Sequence, residues 1–490
     1  MRLLETLKNI KEKSLTSFFM PGHKMGRHIA SHFPLDYAFD ITEITGADYL
    51  HHPTGTILET EKHLSKRYGS ETSKILVNGS TVGILSMIMG VIGEGEKLLL
   101  NRNAHKSVYH AIEMGNVMPA YFFPEMHPVL EIPMGLSIGT FEKFLDANRD
   151  ARACLMTYPT YEGICYPIKE MIALCHQRGL IVLVDEAHGA HLHLNMDWPT
   201  SSLAYGADIV VQSFHKTLPA LTQTAGIHFG KNNVLTQNQK NKVLWYLSVL
   251  QTSSPSYLLM GSVDAMLTLL DERGESLAKI LQHSLKRFVK DVKKLKHVIC
   301  ETFEDMDPTK ILLRVKDTDF TGHWLAEKLR EEHIEIEYAT PTMCLLMTSI
   351  SNIENDFEHL TNVLGEIDVL LEAIEVQKNS KKEMSKEKYN KNVSKKIAIN
   401  EITYSDKYER VYSPYEAKKR PAMRCTIEQA VGKVCLSYLI PYPPGIPIVV
   451  PGERITQYVY MQIKRYELQL MQDVECGINI ESASVENIVF

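Results

Sequence analysis

Residues 180–185 read Leu-Ile-Val-Leu-Val-Asp, five apolar side chains running without a break into a carboxylate. A strand with one wet face alternates polar and apolar residues; a continuous apolar run needs cover on both faces. That requirement makes the run a central strand of a parallel sheet. Parallel strands need crossover connections, so the chain is an α/β protein. In open α/β sheets, ligands bind beyond the carboxyl ends of the strands. Asp185 stands at that end.

A second apolar run, within residues 207–212, leads into Ser213-Phe214-His215-Lys216-Thr217. Burial at a strand end disfavours the charged form of a lysine and makes its amine a usable nucleophile. Such an amine is a candidate for a Schiff base with a carbonyl group. The pentapeptide alone also fits an ordinary lysine with its head in solvent. The gap from Asp185 to Lys216 suits one crossover helix and a return strand, which would bring both side chains to one crevice. Pyridoxal 5'-phosphate needs this pair: an amine for its aldehyde and a carboxylate for its ring nitrogen.

Upstream, residues 74–78 predict a short strand, followed by Gly79-Ser80-Thr81-Val82-Gly83 and an apolar helix over 84–92. Small hydroxyl residues at a helix start suit an anion there, and without a Walker lysine the place suits a cofactor monophosphate better than a nucleotide triphosphate. A plain serine N-cap reads the same way. Residues 98–107 repeat the strand-then-turn pattern and bring His105 to the same sheet edge, where an imidazole can stack on a flat ring. The loop 158–163 carries Glu162. The alternation of strand and helix through residues 74–230 is the α/β signature.

The 490 residues are enough for about three domains. The net charge of -6, with both signs spread along the chain, argues against a nucleic-acid surface. Nothing approaches 18 consecutive apolar residues, so no membrane span is expected. The start lacks the apolar core of a signal peptide, and the eight cysteines form no CxxC pair. Both point to a cytoplasmic protein with reduced thiols. Neither His51-His52 nor the group His188, His191 and His193 has metal-ligand spacing, and no metal is expected. The expected divisions are an N-terminal arm (1–39), a large domain (40–262), a small α+β domain (263–375), a lysine-rich linker (376–396) and a C-terminal α+β domain (397–490). In the last, the proline-rich segment 441–453 should take an extended, rigid course and end on Glu453.

Six words, in order, resemble the prokaryotic ornithine/lysine/arginine decarboxylase family: Pro21-Gly22-His23-Lys24, Asn78-Gly79-Ser80-Thr81, residues 101–107, Val184-Asp185-Glu186-Ala187-His188-Gly189, Ser213-Phe214-His215-Lys216, and the segment ending at Glu453. The chain resembles the short form, without an N-terminal receiver-like domain. The resemblance implies the type I, aspartate-aminotransferase-like pyridoxal-phosphate fold, with a mostly parallel central sheet. It implies that Lys216 carries the cofactor, Asp185 pairs with the ring nitrogen, and His105 and Ala187 flank the ring, with His188 beside them. Ser80, Thr81, Ser213 and His215 would bind the phosphate. His215 would also be a proton donor. Ser253 or Ser254 would reach the phosphate of a neighbouring subunit, in at least a homodimer with interfacial sites. Glu162, Glu337 and Glu453 are candidates for holding a cationic substrate side chain.

The expected reaction is decarboxylation of a basic amino acid, arginine ahead of lysine or ornithine, to a polyamine-pathway amine. An aminotransferase or another lyase on this fold would share the Asp/Lys pair. A catalytically silent regulatory relative would not need to keep Lys216 and Asp185.

Overall fold

The computed structural model describes residues 2–13, 21, 35–384, 408–442, 444–465 and 478–481. Gly22, His23 and Lys24 of the first matching word, most of the expected linker, and Pro443 lie outside the described residues.

A seven-stranded sheet forms the centre. Its strands in chain order are β1 (Thr72–Leu76), β2 (Lys97–Asn101), β3 (Met118–Phe122), β4 (Ala151–Thr157), β5 (Ile181–Asp185), β6 (Ile209–Ser213) and β7 (Ala225–Phe229). Their spatial order is β1-β7-β6-β5-β4-β2-β3. Only β7 runs antiparallel to its neighbours. β5 and β6 are buried at every position. Successive residues of β5 point to opposite sides. Ile181 and Leu183 join a core built with the helices Gly79–Val91 and Lys106–Gly115. Val182 and Val184 join the opposite core, built with Ile168–Gln177. The uninterrupted apolar run thus serves two helix layers. Asp185 has the parity of Ile181 and Leu183, so it leaves the sheet on the side of the Gly79–Val91 helix.

The connection from β5 to β6 differs from expectation. It contains turns and a single 3₁₀ turn, Leu192–Leu194, instead of a crossover helix. The segment carries Gly189, Asn195, Pro199, Ser201, Ser202 and Gly206, which break helices. The buried Glu186 carboxylate draws the segment inward. It accepts bonds from Ser201 Oγ at 2.7 Å, Ser202 N at 2.8 Å and Gln212 Nε2 at 2.6 Å.

The 36-residue helix Tyr257–Val292 leads away to a second, four-stranded antiparallel sheet. Its strands are β8 (Val298–Glu301), β9 (Lys310–Val315), β10 (Tyr338–Ala339) and β11 (Cys344–Met347), in the order β8-β9-β11-β10. β10 is only two residues long. The helix that begins at Glu354 runs to Met384, through the first residues of the expected linker. The C-terminal unit packs Cys435, Leu439, Val449, Ile455, Val459, Ile463 and Ile480 into a small core of its own. The proline-rich segment is not extended throughout. Gly445 N donates to Pro441 O at 3.0 Å, and Gly445 takes φ +82°, closing a turn.

Candidate active site

Lys216 follows β6 in a four-residue helical turn, Phe214–Thr217. Phe214 is fully buried and anchors the turn. The half-buried Lys216 directs Nζ to His188 Nε2 at 3.1 Å. Burial lowers the proton affinity of Lys216; Asp185 opposes that shift and the Lys310 cation adds to it. Burial raises the Asp185 carboxyl, opposed by Lys216 and by the Ala187 amide, which donates to Oδ1 at 3.2 Å. Both groups are therefore pushed toward their neutral forms, and a cationic partner at Asp185 would reverse that push.

His188 is buried, and burial together with the Lys216 charge holds it well below the usual imidazole range. The neutral His188 ring meets Lys216 through Nε2, while its Nδ1 has no hydrogen-bond partner. Tyr161 packs on this imidazole with ring centroids 4.4 Å apart, and its ring lies 6.0 Å from Lys216 Nζ. His191 instead turns to Asp307 at 3.1 Å, and His193 packs on Tyr68 at 4.4 Å. The three histidines therefore do not converge.

His105 caps the Lys106–Gly115 helix. Its Nδ1 accepts from Ser107 N at 3.3 Å and lies 2.9 Å from Ser107 Oγ. Burial lowers the imidazole to about 3, with Lys216 adding to the shift. It is a neutral, fixed ring beside the amine. Ser213 Oγ, at the end of β6, is buried without a hydrogen-bond partner. His215 Nδ1 donates to Thr224 O at 2.8 Å, leaving Nε2 as its acceptor. Burial lowers the His215 imidazole.

The helix Gly79–Val91 begins at Gly79 itself, five residues earlier than expected, with φ +71°. Ser80 and Thr81 are therefore its first-turn residues, half-buried and exposed respectively. Asn78 does not cap this helix with its side chain. Its Oδ1 accepts from Thr252 N at 3.2 Å instead, which holds the exposed Ser253 and Ser254 near the same helix start.

The three glutamates separate. Glu162 is buried; Oε1 accepts from Tyr338 OH at 2.8 Å, and Oε2 has no partner. Burial raises its carboxyl above the usual range. Glu337 is exposed and accepts from Tyr161 OH. A cavity of about 370 Å³ lies between Glu162, Tyr338, Tyr408, Pro444 and Ile448. Glu453 corrects the sequence expectation. Its Oε1 accepts from Arg102 Nε at 2.9 Å, and its Oε2 from Arg102 Nη2 at 2.7 Å and Val450 N at 2.9 Å. Both oxygens are spent inside the protein, so Glu453 offers nothing to a substrate cation.

Sequence reasoning passed over Tyr161, Arg102, Gly445 and Lys310. Lys310 is buried at the start of β9, 3.6 Å from Asp307. Its stem lies against Gly163: a Cβ there would come within 2.5 Å of Lys310 Cγ. Arg102 sits inside a quoted word, and its isolated charge was the available signal.

A mostly parallel sheet with one antiparallel strand, an acid and an amine at adjacent strand ends, and a second smaller sheet define the type I pyridoxal-phosphate-dependent transferase fold. Residues 2–311 match the family model "Orn/Lys/Arg decarboxylase, major domain", and residues 396–474 match "Orn/Lys/Arg decarboxylase, C-terminal domain". The chain is 33% identical to the uncharacterized protein YaaO of Bacillus subtilis (strain 168), covering 92% of this chain and 90% of the relative. It is 30% identical to the arginine decarboxylase of Bacillus anthracis, covering 93% and 90%. The crystal structure of the Francisella novicida lysine decarboxylase LdcF shares the fold. Its TM-score is 0.79 at 18% identity, covering 98% of this chain and 81% of that one. The chain belongs to the Orn/Lys/Arg decarboxylase family and is an amino-acid decarboxylase. Among the described residues, no helix is long and apolar enough to cross a membrane.

Proposed function

We propose that this chain decarboxylates a basic amino acid, arginine ahead of lysine or ornithine, using pyridoxal 5'-phosphate. The observation that carries the reading is the convergence of the Lys216 amine and the Asp185 carboxylate beside the fixed His105 ring. The donor set fits the cofactor: an amine, a carboxylate that lacks a full counter-charge, a neutral imidazole, and the buried, unpartnered hydroxyl of Ser213. Lys216 would hold the aldehyde carbon and Asp185 the ring nitrogen. His105 and Ala187 would flank the ring. Ser80, Thr81, Ser213 and His215 would hold the phosphate at the uncapped start of the Gly79–Val91 helix. When bound, the cofactor supplies an electron sink for the carbanion left by CO2.

The remaining work belongs to the chain. Asp185 would hold the ring nitrogen by charge. The Lys216 amine would stay within hydrogen-bond reach of His188 Nε2, 3.1 Å away. His215, held by Thr224 O, and Lys216 would be the candidates to return a proton to the alpha carbon. Glu162 is the better candidate for the substrate cation, having one buried oxygen without a hydrogen-bond partner beside the cavity. Glu337 stands at the rim through Tyr161. Arginine is favoured because the arginine decarboxylase of Bacillus anthracis aligns over nearly the whole chain.

A homodimer accompanies this reading. The helix Gln237–Leu250 exposes Leu244, Trp245 and Val249, at 36%, 58% and 55%. Such an apolar face beside the hydroxyl-rich 252–254 loop suits a subunit contact. The domain divisions at 40–262 and 397–490, and a cytoplasmic location, are part of the same proposal. Assay of the purified protein with arginine, lysine and ornithine tests the substrate: fastest CO2 release is expected with arginine. Release from none of the three, with the cofactor bound, would overturn the reading.

A further inference from the structure

We infer that Gly445 of the C-terminal unit is a positioning residue for His105, forming a wall of the crevice that holds the ring. The inference rests on the reading of His105 as the group that stacks on the cofactor.

Gly445 lies directly against the imidazole. A Cβ at this position would stand 3.0 Å from His105 Cδ2 and 3.0 Å from Nε2. That is tighter than ordinary van der Waals contact, so a side chain at 445 would force its neighbour to give. The backbone also has φ +82°, which side chains rarely adopt. The opposite nitrogen, Nδ1, is held by Ser107. The ring is therefore confined from both edges.

The wall itself is fixed. Gly445 O accepts from Lys106 N at 3.0 Å, the amide immediately after His105. That amide belongs to the first turn of its helix and has no intrahelical partner. Further along, Arg102 Nη1 donates to Pro447 O at 2.9 Å and Nη2 to Ile448 O at 3.1 Å. Arg102 also takes both oxygens of Glu453. The loop from 445 to 453 is thus bonded at both ends to the segment that carries His105. These bonds resist its retreat from a side chain placed at 445, so the displacement is expected to fall on the imidazole.

The test is a double-mutant cycle between Gly445→Ala and His105→Ala, read by pyridoxal 5'-phosphate affinity and visible circular dichroism of the bound cofactor. Thermal unfolding of the cofactor-free proteins accompanies it. Gly445→Ala is expected to weaken affinity about tenfold, the effect of a strained left-handed residue on a preorganised ring. In the His105→Ala background the same change is expected to do nothing further. Gly445→Asn, which tolerates positive φ, replaces Gly445→Ala if the latter unfolds. Equal losses in both backgrounds, or no loss in either, overturn the inference; His105→Ala alone weakening the affinity would then leave the stacking reading intact. Affinity indifferent to His105→Ala overturns the stacking reading and the inference with it.

Discussion

Arg102 and Glu453 face each other in a two-pronged ion pair, at 2.9 and 2.7 Å, with each side chain 3% exposed. Arg102 follows β2 of the large sheet; Glu453 belongs to the C-terminal unit. The guanidinium also stacks 4.8 Å from the Tyr408 ring centroid. Burial alone would lower the proton affinity of Arg102, and Glu453 more than restores it. The pair joins the C-terminal unit to the strand edge that carries His105.

Removing one partner leaves the other charge buried and alone. Glu453→Ala is expected to destabilise the protein by about 3–5 kcal/mol. Arg102→Lys should destabilise it by less, since an ammonium keeps the charge but cannot reproduce the fork. Denaturant unfolding of the three proteins measures the difference.

Lys216→Ala is expected to lower decarboxylation by on the order of 10²–10⁴-fold or more, because the nucleophile and a proton carrier disappear together. The melting temperature of the cofactor-free protein should hold or rise, since a desolvated amine with one hydrogen bond is removed. Steady-state rates and calorimetry check the two halves separately.

Glu162→Gln keeps an oxygen for Tyr338 OH and removes the charge. The fold should survive, and KM for the basic substrate should rise by a factor corresponding to about 1.5–3 kcal/mol. A KM indifferent to the change would remove Glu162 from the substrate side.

Two buried imidazoles predict an acid limb. His228 and His193 both pack on Tyr68, with centroids 4.7 and 4.4 Å away, and both are lowered from 6.5 to about 3 by burial. A base with a depressed folded pKa contributes stability above its unfolded pKa and loses it as pH falls. Stability should therefore drop between about pH 6.5 and 3, by about 1.4 kcal/mol per pH unit for each histidine. His228→Asn should flatten that slope by one proton, as read by unfolding at a series of pH values.

Trp245→Glu places a charge on the exposed face of the helix Gln237–Leu250. Ultracentrifugation is expected to show a smaller species than the parent protein, with activity reduced alongside.

The central sheet was legible because apolar periodicity reports burial directly: 180–185 could be nothing but a doubly covered strand. The places of Asp185, Lys216 and His105 at or just past strand ends were legible because each ends or follows such a run. What escaped depends on distant partners. Glu453 is acidic and near a turn, so its charge was visible; Arg102, which consumes it, sits in another part of the chain. Gly445 carries no side chain to read. Length alone predicts a helix in the 186–208 connection, and nothing in the sequence separates Glu186, whose hydrogen bonds organise it, from its neighbour Asp185.

One contact ties two sheets together mechanically. Gly163 leaves no space for even a methyl group above the Lys310 stem, and its amide oxygen accepts from Asp307 N at 2.8 Å. The strand that begins at Lys310 therefore cannot slide without dragging the loop that carries Glu162. The smaller sheet and the buried Glu162 carboxylate are thereby coupled through a single glycine.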